Sequence, residues 1–336
     1  MTGNALLSLK NVNVGYKTLT GTVYAANDIN LDLYESDALG IVGESGSGKS
    51  TLAMGVLDLL ADNAKVTGEA IFNGKNLIGL SEKEMRAIRW REISVVFQKS
   101  MNSFSPVYKI GEQIYDIYKV HKPSATRAES DAAITRLLGV VNLTDRVLNM
   151  YQHQLSGGML QRICIALSLI FDPKIVVFDE ATTALDVVTQ GQVIGEIKRL
   201  QRDFNVSSIL ITHDISVVAE TCNRVAVMYA GYLMETGPVR SVIKEPLHPY
   251  TQGLISSFPT LETGKTMIRG IPGTLPNLKN KVQGCVFAPR CPRAKDICRN
   301  ERPLQRCATP EHMPLTMEEY SSLVISAVTR TSKCLW

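Results

Sequence analysis

Gly43-Glu44-Ser45-Gly46-Ser47-Gly48-Lys49-Ser50 follows the apolar run Ala38-Leu39-Gly40-Ile41-Val42 and precedes Thr51-Leu52-Ala53-Met54. The spacing is G-x-x-x-x-G-K-[ST], set between a buried strand and a helix, which is the context a phosphate-binding loop requires. Gly43, Gly46 and Gly48, with Ser45 between them, let backbone N–H groups turn inward around phosphate oxygens, while the helix start adds unsatisfied donors and a positive dipole end. Lys49 suits the β- and γ-phosphates of a nucleotide, Ser50 a Mg²⁺ ion, and Thr51 the α-phosphate. A glycine-rich turn that binds nothing would not require the full spacing in this strand-to-helix setting.

Working outward, short apolar runs recur at Ala38 to Val42, Ile93 to Phe97, Ile175 to Phe178 and Ser208 to Thr212. Such runs suit strands of a parallel sheet buried on both faces, so the expected fold is α/β with a mostly parallel core. Each run ends at a residue with chemistry: Gly43, Gln98, Asp179 with Glu180, and His213. In open α/β sheets ligands bind beyond the carboxyl ends of the strands, so the four endings are expected to serve one site. Asp179 is the expected water-mediated Mg²⁺ partner and Glu180 the general base for an attacking water. Gln98 can reach the metal or that water, and His213 is placed to hydrogen-bond the γ-phosphate. A lone His at a strand end is more often structural; its place in this series reverses that.

Leu155-Ser156-Gly157-Gly158-Met159-Leu160-Gln161-Arg162 opens an amphipathic run from Met159 to Ile170, with Ile163, Ala166, Leu167 and Ile170 at helical spacing. Ser156, Gly157 and Gly158 thus sit at a second helix N-terminus able to bind an anion. Capping by Ser156 alone is worth about 1 kcal/mol, but two glycines at a helix start weaken it, which favours a binding role. With the phosphate loop, LSGGMLQR and Asp179-Glu180 in this order, the chain resembles the ATP-binding cassette (ABC) family over most of its length. The resemblance implies a P-loop NTPase fold with an antiparallel β subdomain and a helical subdomain. It also implies head-to-tail pairing, in which Ser156 to Gln161 of one subunit closes over ATP on the other. It carries the Q-loop role to Gln98, the Walker B and catalytic Glu roles to Asp179 and Glu180, and the switch role to His213. Tyr16 matches the aromatic residue that stacks on adenine, and Ala184-Leu185-Asp186 the D-loop along the dimer contact. Two departures are Ala181, where relatives usually have Pro, and Ser36-Asp37, where many have Gly.

At 336 residues and a formal net charge of +4, the chain holds one large α/β domain plus an appendage and lacks the basic block of a nucleic-acid binder. No apolar run approaches the roughly 20 residues needed to span a bilayer, and the first residues lack a signal-peptide pattern. We divide the chain into a nucleotide-binding domain, 1–237, and an extension, 238–336. Within the first lie an antiparallel portion at about residues 5 to 75 and a helical insertion from about 99 to 171. In importers of the family the region after Gln98 contacts a membrane subunit, for which Met101, Phe104 and Tyr108 are candidates; packing within the insertion is the rival reading.

From about Pro238 the composition shifts to Pro, Gly and basic residues, and five of the seven cysteines fall in the final 52 residues: Cys285, Cys291, Cys298, Cys307 and Cys334. In a cytoplasmic ATPase such clustering favours a metal over disulfides. His248-Pro249-Tyr250-Thr251 and the Cys285 to Ala294 pattern resemble the ATP-binding subunits of oligopeptide and dipeptide importers. In that subfamily the array holds a [4Fe-4S] cluster, which implies Cys285, Cys291, Cys298 and either Cys334 or Cys307 as ligands. Zinc is the alternative metal. Cys164 and Cys222 read as core residues.

The expected protein is therefore an ATP-hydrolysing subunit on the cytoplasmic face of a membrane, peripheral to it and using ATP and Mg²⁺. Its expected partners are a second, paralogous ATP-binding subunit, two transmembrane permeases and an external solute-binding protein, with no nucleic acid. Importers of oligosaccharides or nickel are the alternative within the subfamily. A soluble ABC ATPase acting on nucleic acid or ribosomes is the alternative outside it, and would need long coiled-coil insertions or a second cassette.

Overall fold

Alternate burial along Leu7-Ser8-Leu9 marks a strand with one face on a core, and this pattern begins the chain's first element. The structure is a computed structural model that describes residues 5–97, 103–182, 186–257, 270–279 and 282–303, with the backbone of 306–307 and 331–332. It forms two compact units, residues 1–80 with 211–336, and residues 81–210.

In the first unit β1 (Leu7–Thr18) pairs antiparallel with β2 (Gly21–Leu33) across a two-residue turn and, on its other edge, with β4 (Ala64–Phe72), which pairs with β5 (Lys75–Asn76). This gives a four-stranded sheet in the order β2-β1-β4-β5. Between β2 and β4 the chain runs through β3 (Ala38–Val42) and α1 (Lys49–Val56). β3 lies parallel to β9 (Arg224–Tyr229), which is antiparallel to β10 (Tyr232–Pro238). Every residue of β9 is buried, as a strand covered on both faces requires. β12 (Thr331–Ser332) extends β10, and β11 (Arg306–Cys307) extends β12. Four short helices complete the unit: α7 (Ile215–Thr221), α8 (Val239–Lys244), α9 (Pro249–Ser256) and α10 (Asp296–Asn300). Residues after Pro238 thus share a unit with the phosphate loop.

The entry to β3 is locked by charge. Arg224 Nη1 pairs with Asp37 Oδ2 at 2.6 Å and donates to the Asp32 carbonyl at 2.9 Å, with both side chains of the pair under a tenth exposed. Asn223 Nδ2 donates to the other Asp37 oxygen at 3.0 Å, and its own carbonyl oxygen accepts the Ala38 amide. The preceding Ser36 sits at φ 61°, the left-handed region where glycine is at ease.

In the second unit β6 (Ile93–Val96) runs parallel to β7 (Ile175–Asp179), from Ile93 opposite Ile175 to Val96 opposite Phe178, and β8 (Ser207–Thr212) lies beside β7. The helices are α2 (Glu82–Ile88), α3 (Ile110–His121), α4 (Arg127–Val140), α5 (Gly157–Ser168) and α6 (Val187–Phe204). α3 buries Ile110, Ile114 and Tyr118, one stripe at helical spacing, and α4 buries Ile134, Leu137 and Leu138. Thr126 and Glu129 close a capping box at the start of α4. Phe104 is 6% exposed and belongs to the core, the packing reading over the contact reading; Tyr108 is exposed, and Met101 lies outside the described residues.

One acid is buried on α6. Glu196 is 3% exposed and faces Arg162 at 3.9 Å; burial pushes its carboxyl up to about 7, against the opposing pull of Arg162, an Asn142 hydrogen bond and Arg199. The folded protein therefore holds a proton that the unfolded chain has released, and this stabilisation, complete below about pH 4.5, is lost as pH rises through about 7. Glu196→Gln should gain on the parent across that window and stay ahead by on the order of 1–3 kcal/mol at higher pH. Urea midpoints at low and high pH check this, and an equal difference at both would contradict it. Asp37→Ala, which leaves buried Arg224 without its carboxylate, is expected to cost about 3–5 kcal/mol in the same assay.

Candidate functional site

At the end of β3 the chain turns through Gly43, Gly46 and Gly48 at φ 154°, 79° and 95°. A β-carbon on Gly43 would collide with the Met228 carbonyl oxygen, and one on Gly48 with that of Ala25, so the loop lies against the backbone of β2 and β9. Fully buried Ser47 anchors it by accepting the Gly231 amide at 2.9 Å on its carbonyl. Lys49, 4% exposed, directs Nζ along the inner side of the loop, 2.8 Å from the Gly43 carbonyl and 3.0 Å from that of Glu44. α1 then starts at Lys49 with no side-chain cap, and a helix N-terminus of this kind favours an anion. The same unit carries Tyr16, half-buried near the end of β1, and His213, exposed just after β8. Asp214 secures the turn at His213: its amide donates to Thr212 Oγ1 at 3.0 Å and its carboxylate caps α7 through the Ser216 amide at 2.8 Å.

In the second unit Asp179 ends β7 and is 7% exposed. Glu180 follows at φ 48°, a left-handed conformation that costs a non-glycine residue on the order of 1 kcal/mol and re-aims the side chain at the strand end. Sequence reading missed this, because backbone strain has no signature in residue type. Ser156 caps α5, accepting the Met159 amide at 3.2 Å, and Gly157 begins the helix. Gly158 has a packing reason as well: a β-carbon there would lie 2.6 Å from Thr189 Cγ2 on α6. Arg162 Nε returns to the Gly158 carbonyl at 3.2 Å. Gln161 is 2% exposed on the buried side of α5.

Asp186 caps α6, accepting from the Val188 and Thr189 amides at 3.1 and 3.0 Å and the Thr189 hydroxyl at 2.6 Å. That hydroxyl, then the Thr189 amide, holds its carboxyl below the usual range. The Asp-x-x-Thr spacing was the signal available for this cap. Gln98, Ala184 and Leu185 lie outside the described residues.

A second cluster lies in the first unit. Cys285, Cys291 and Cys298 line one cavity of about 170 Å³ together with His248, Phe287 and Arg293. The Cys285 amide donates to the Cys298 carbonyl at 2.7 Å, which ties the two segments together. Burial, and secondarily the neighbouring thiols, push the Cys285 thiol up; burial does the same at Cys291. Among the described residues no three His, Cys, Asp or Glu side chains are placed to share a single metal ion. The side chain of Cys307 and all of Cys334 lie outside the described residues. Cys222 ends α7, where burial pushes its thiol up to about 12, and Cys164 is half-buried within α5.

Residues 26–183 match the ABC transporter family profile, and residues 234–298 that of the oligopeptide/dipeptide transporter C-terminal region. The oligopeptide transport ATP-binding protein OppD of Escherichia coli is 44% identical over 305 residues, 90% of each chain. The dipeptide transport ATP-binding protein DppD of Bacillus subtilis is 42% identical over 311 residues, 91% of this chain and 92% of that one. Among solved structures, a dimeric bacterial ABC transporter cassette superposes with a TM-score of 0.62 at 30% identity, covering 70% of this chain and 99% of its own. An ATP-binding cassette dimer holding ADP and Pi after hydrolysis gives 0.60 at 29%, with the same coverage. The loop geometry, the capped signature helix and these likenesses agree: the chain belongs to the ABC transporter family, among the ATP-binding proteins of oligopeptide and dipeptide transport.

Proposed function

We propose that this chain binds and hydrolyses ATP to drive peptide uptake through separate membrane subunits. The observation that carries the reading is the phosphate loop, with Lys49 along its inner side and the uncapped start of α1 beyond it, in a chain that also bears a signature helix capped by Ser156. Lys49 neutralises the β- and γ-phosphates, Thr51 holds the α-phosphate, and Tyr16 stacks on the base. Ser50 and Asp179, with Gln98, would hold Mg²⁺, which supplies charge neutralisation when bound. Glu180 takes the proton of the attacking water, and His213 hydrogen-bonds the γ-phosphate. Ser156, Gly157 and Gly158 offer a second helix N-terminus to ATP on a paralogous subunit, so the site is complete only in the dimer. Two permeases and an external binding protein complete the importer. Among the described residues no helix is long and apolar enough to cross a membrane, in keeping with peripheral attachment at the cytoplasmic face.

We further propose that the cysteine cavity holds a [4Fe-4S] cluster, with Cys285, Cys291 and Cys298 as ligands and Cys334 or Cys307 as the fourth. In such a cluster each thiolate binds a different iron, so three thiols lining one cavity are donors of the kind it needs. The residues fit in kind, since three thiols line one cavity and the Cys285 to Cys298 backbone bond holds two of their segments together.

Glu180→Gln in the reconstituted assembly is expected to lower substrate-stimulated ATP hydrolysis on the order of 10²- to 10⁴-fold while leaving nucleotide binding in place; near-normal turnover would remove Glu180 from the mechanism. Protein purified without oxygen should contain about four irons and four acid-labile sulfides per chain. One zinc and no sulfide would overturn the cluster and leave the ATPase standing.

A further inference from the structure

Glu44 occupies the first variable position of the phosphate loop, and three of its groups are held by three different parts of the chain. Its amide donates to the Tyr250 hydroxyl at 3.0 Å, its carbonyl accepts from Lys49 Nζ at 3.0 Å, and its carboxylate accepts from Arg290 Nη1 at 2.9 Å. Two of these partners come from beyond Pro238. They are themselves firmly set: the Arg290 side chain is 6% exposed and donates also to the carbonyls of Pro272 and Ile271 at 2.7 and 2.9 Å, and to the Tyr229 hydroxyl at 3.3 Å. Tyr250, Tyr229 and Phe287 form one aromatic cluster, with ring centroids 4.7 to 5.4 Å apart. α9 is aimed by His248, whose Nδ1 caps it through the Tyr250 amide at 3.0 Å, and by buried Glu235, which accepts the His248 amide at 2.9 Å. Leu275 also comes up to the loop, 3.4 Å from where a β-carbon on Gly46 would stand.

We propose that Arg290 and Tyr250 are positioning residues for the phosphate loop, through which the C-terminal extension sets the affinity for nucleoside triphosphate. This rests on reading the loop as the ATP site. Tyr250 fixes the Glu44 peptide whose carbonyl is one of the acceptors aligning Lys49. Arg290 acts on charge: from a side chain only 6% exposed, it neutralises a carboxylate at the edge of a loop that must receive a polyanion. Without Arg290, the Glu44 carboxylate would stand without its counter-charge and repel the phosphates. Arg290 immediately precedes Cys291, so a rearrangement at the cysteine cavity is one residue away from the loop's partner.

The test measures affinity of the full chain for a fluorescent ATP analogue, and KM and kcat for ATP in the reconstituted transporter. Arg290→Gln is expected to weaken binding and raise KM about tenfold, with kcat at saturating ATP within about twofold of the parent. Adding Glu44→Gln to it should recover most of the loss, because the repelling charge is gone; a role confined to holding Ile271 and Pro272 would give no recovery. Tyr250→Phe, which keeps the ring and removes only the acceptor, should raise KM by a few-fold and serves if Arg290→Gln does not fold. Unchanged affinity in Arg290→Gln, or in Tyr250→Phe where that variant stands in for it, would overturn the proposal, as would a loss that Glu44→Gln leaves untouched. Failure of the parent chain to bind the analogue would instead overturn the ATP reading itself.

Discussion

The molecule is organised around a steric constraint: the phosphate loop lies so close to the backbone of its neighbours that two of its positions admit only hydrogen as a side chain. A β-carbon on Gly43 or Gly48 would overlap the Met228 or Ala25 carbonyl, and both glycines take positive φ values. Contact at that range fixes β2 and β9 relative to the loop, and those strands in turn hold the rest of their unit. The locked turn before β3 has the same purpose. With Asp37, Asn223 and Arg224 joined by hydrogen bonds on every side, β3 delivers Gly43 at one height against β9, and the loop starts from a fixed point. Buried charges paired in this way specify geometry more than they add stability, which is what a loop that must match a polyphosphate requires.

The second unit applies a related device at its signature helix. Gly158 lets α5 approach α6 until Thr189 touches it, and Thr189 is itself held by the cap of Asp186. Arg162 closes the circuit from the Gly158 carbonyl to buried Glu196. The glycine pair thus has two uses: Gly157, beside the Ser156 cap, keeps bulk away from the helix end, while Gly158 registers that end against the helix that begins at Asp186. A binding role and a packing role are compatible here because they fall on successive residues. Glycine at a helix start, costly when considered alone, is compensated by the close helix contact it permits.

Much of this was legible in the chain itself, and what escaped did so for identifiable reasons. The parallel strands could be read from their apolar runs to within a residue or two, since burial on both faces leaves a continuous signal: Ile175 to Phe178 became Ile175–Asp179, and Ser208 to Thr212 became Ser207–Thr212. The helix after LSGG could be read from its period, and its cap from Ser156. Exposure was harder. For Phe104, in a polar stretch, contact and packing both stood, and only neighbours distant in sequence decide that it is buried. Left-handed Glu180 left no mark, since the strain is in the backbone. Spacing alone likewise could not show that three cysteines share a cavity; that depends on the Cys285 to Cys298 backbone bond which folds the segment on itself.

The least legible relation is also the one that joins the two halves of the sequence. Glu44 sits at a position where the phosphate-loop pattern tolerates any residue, so the motif predicts nothing about it, and Arg290 lies 246 residues away. Yet an acid at that position faces an electrostatic penalty in a loop built for anions, and a penalty of that kind persists only where a counter-charge is dependably present. The extension provides one on a rigid base, an arginine enclosed among Tyr229 and the carbonyls of Ile271 and Pro272. The phosphate loop of this chain is therefore complete only when the residues beyond Pro238 are folded against it, which makes the extension part of the nucleotide site's architecture and not an addition to it.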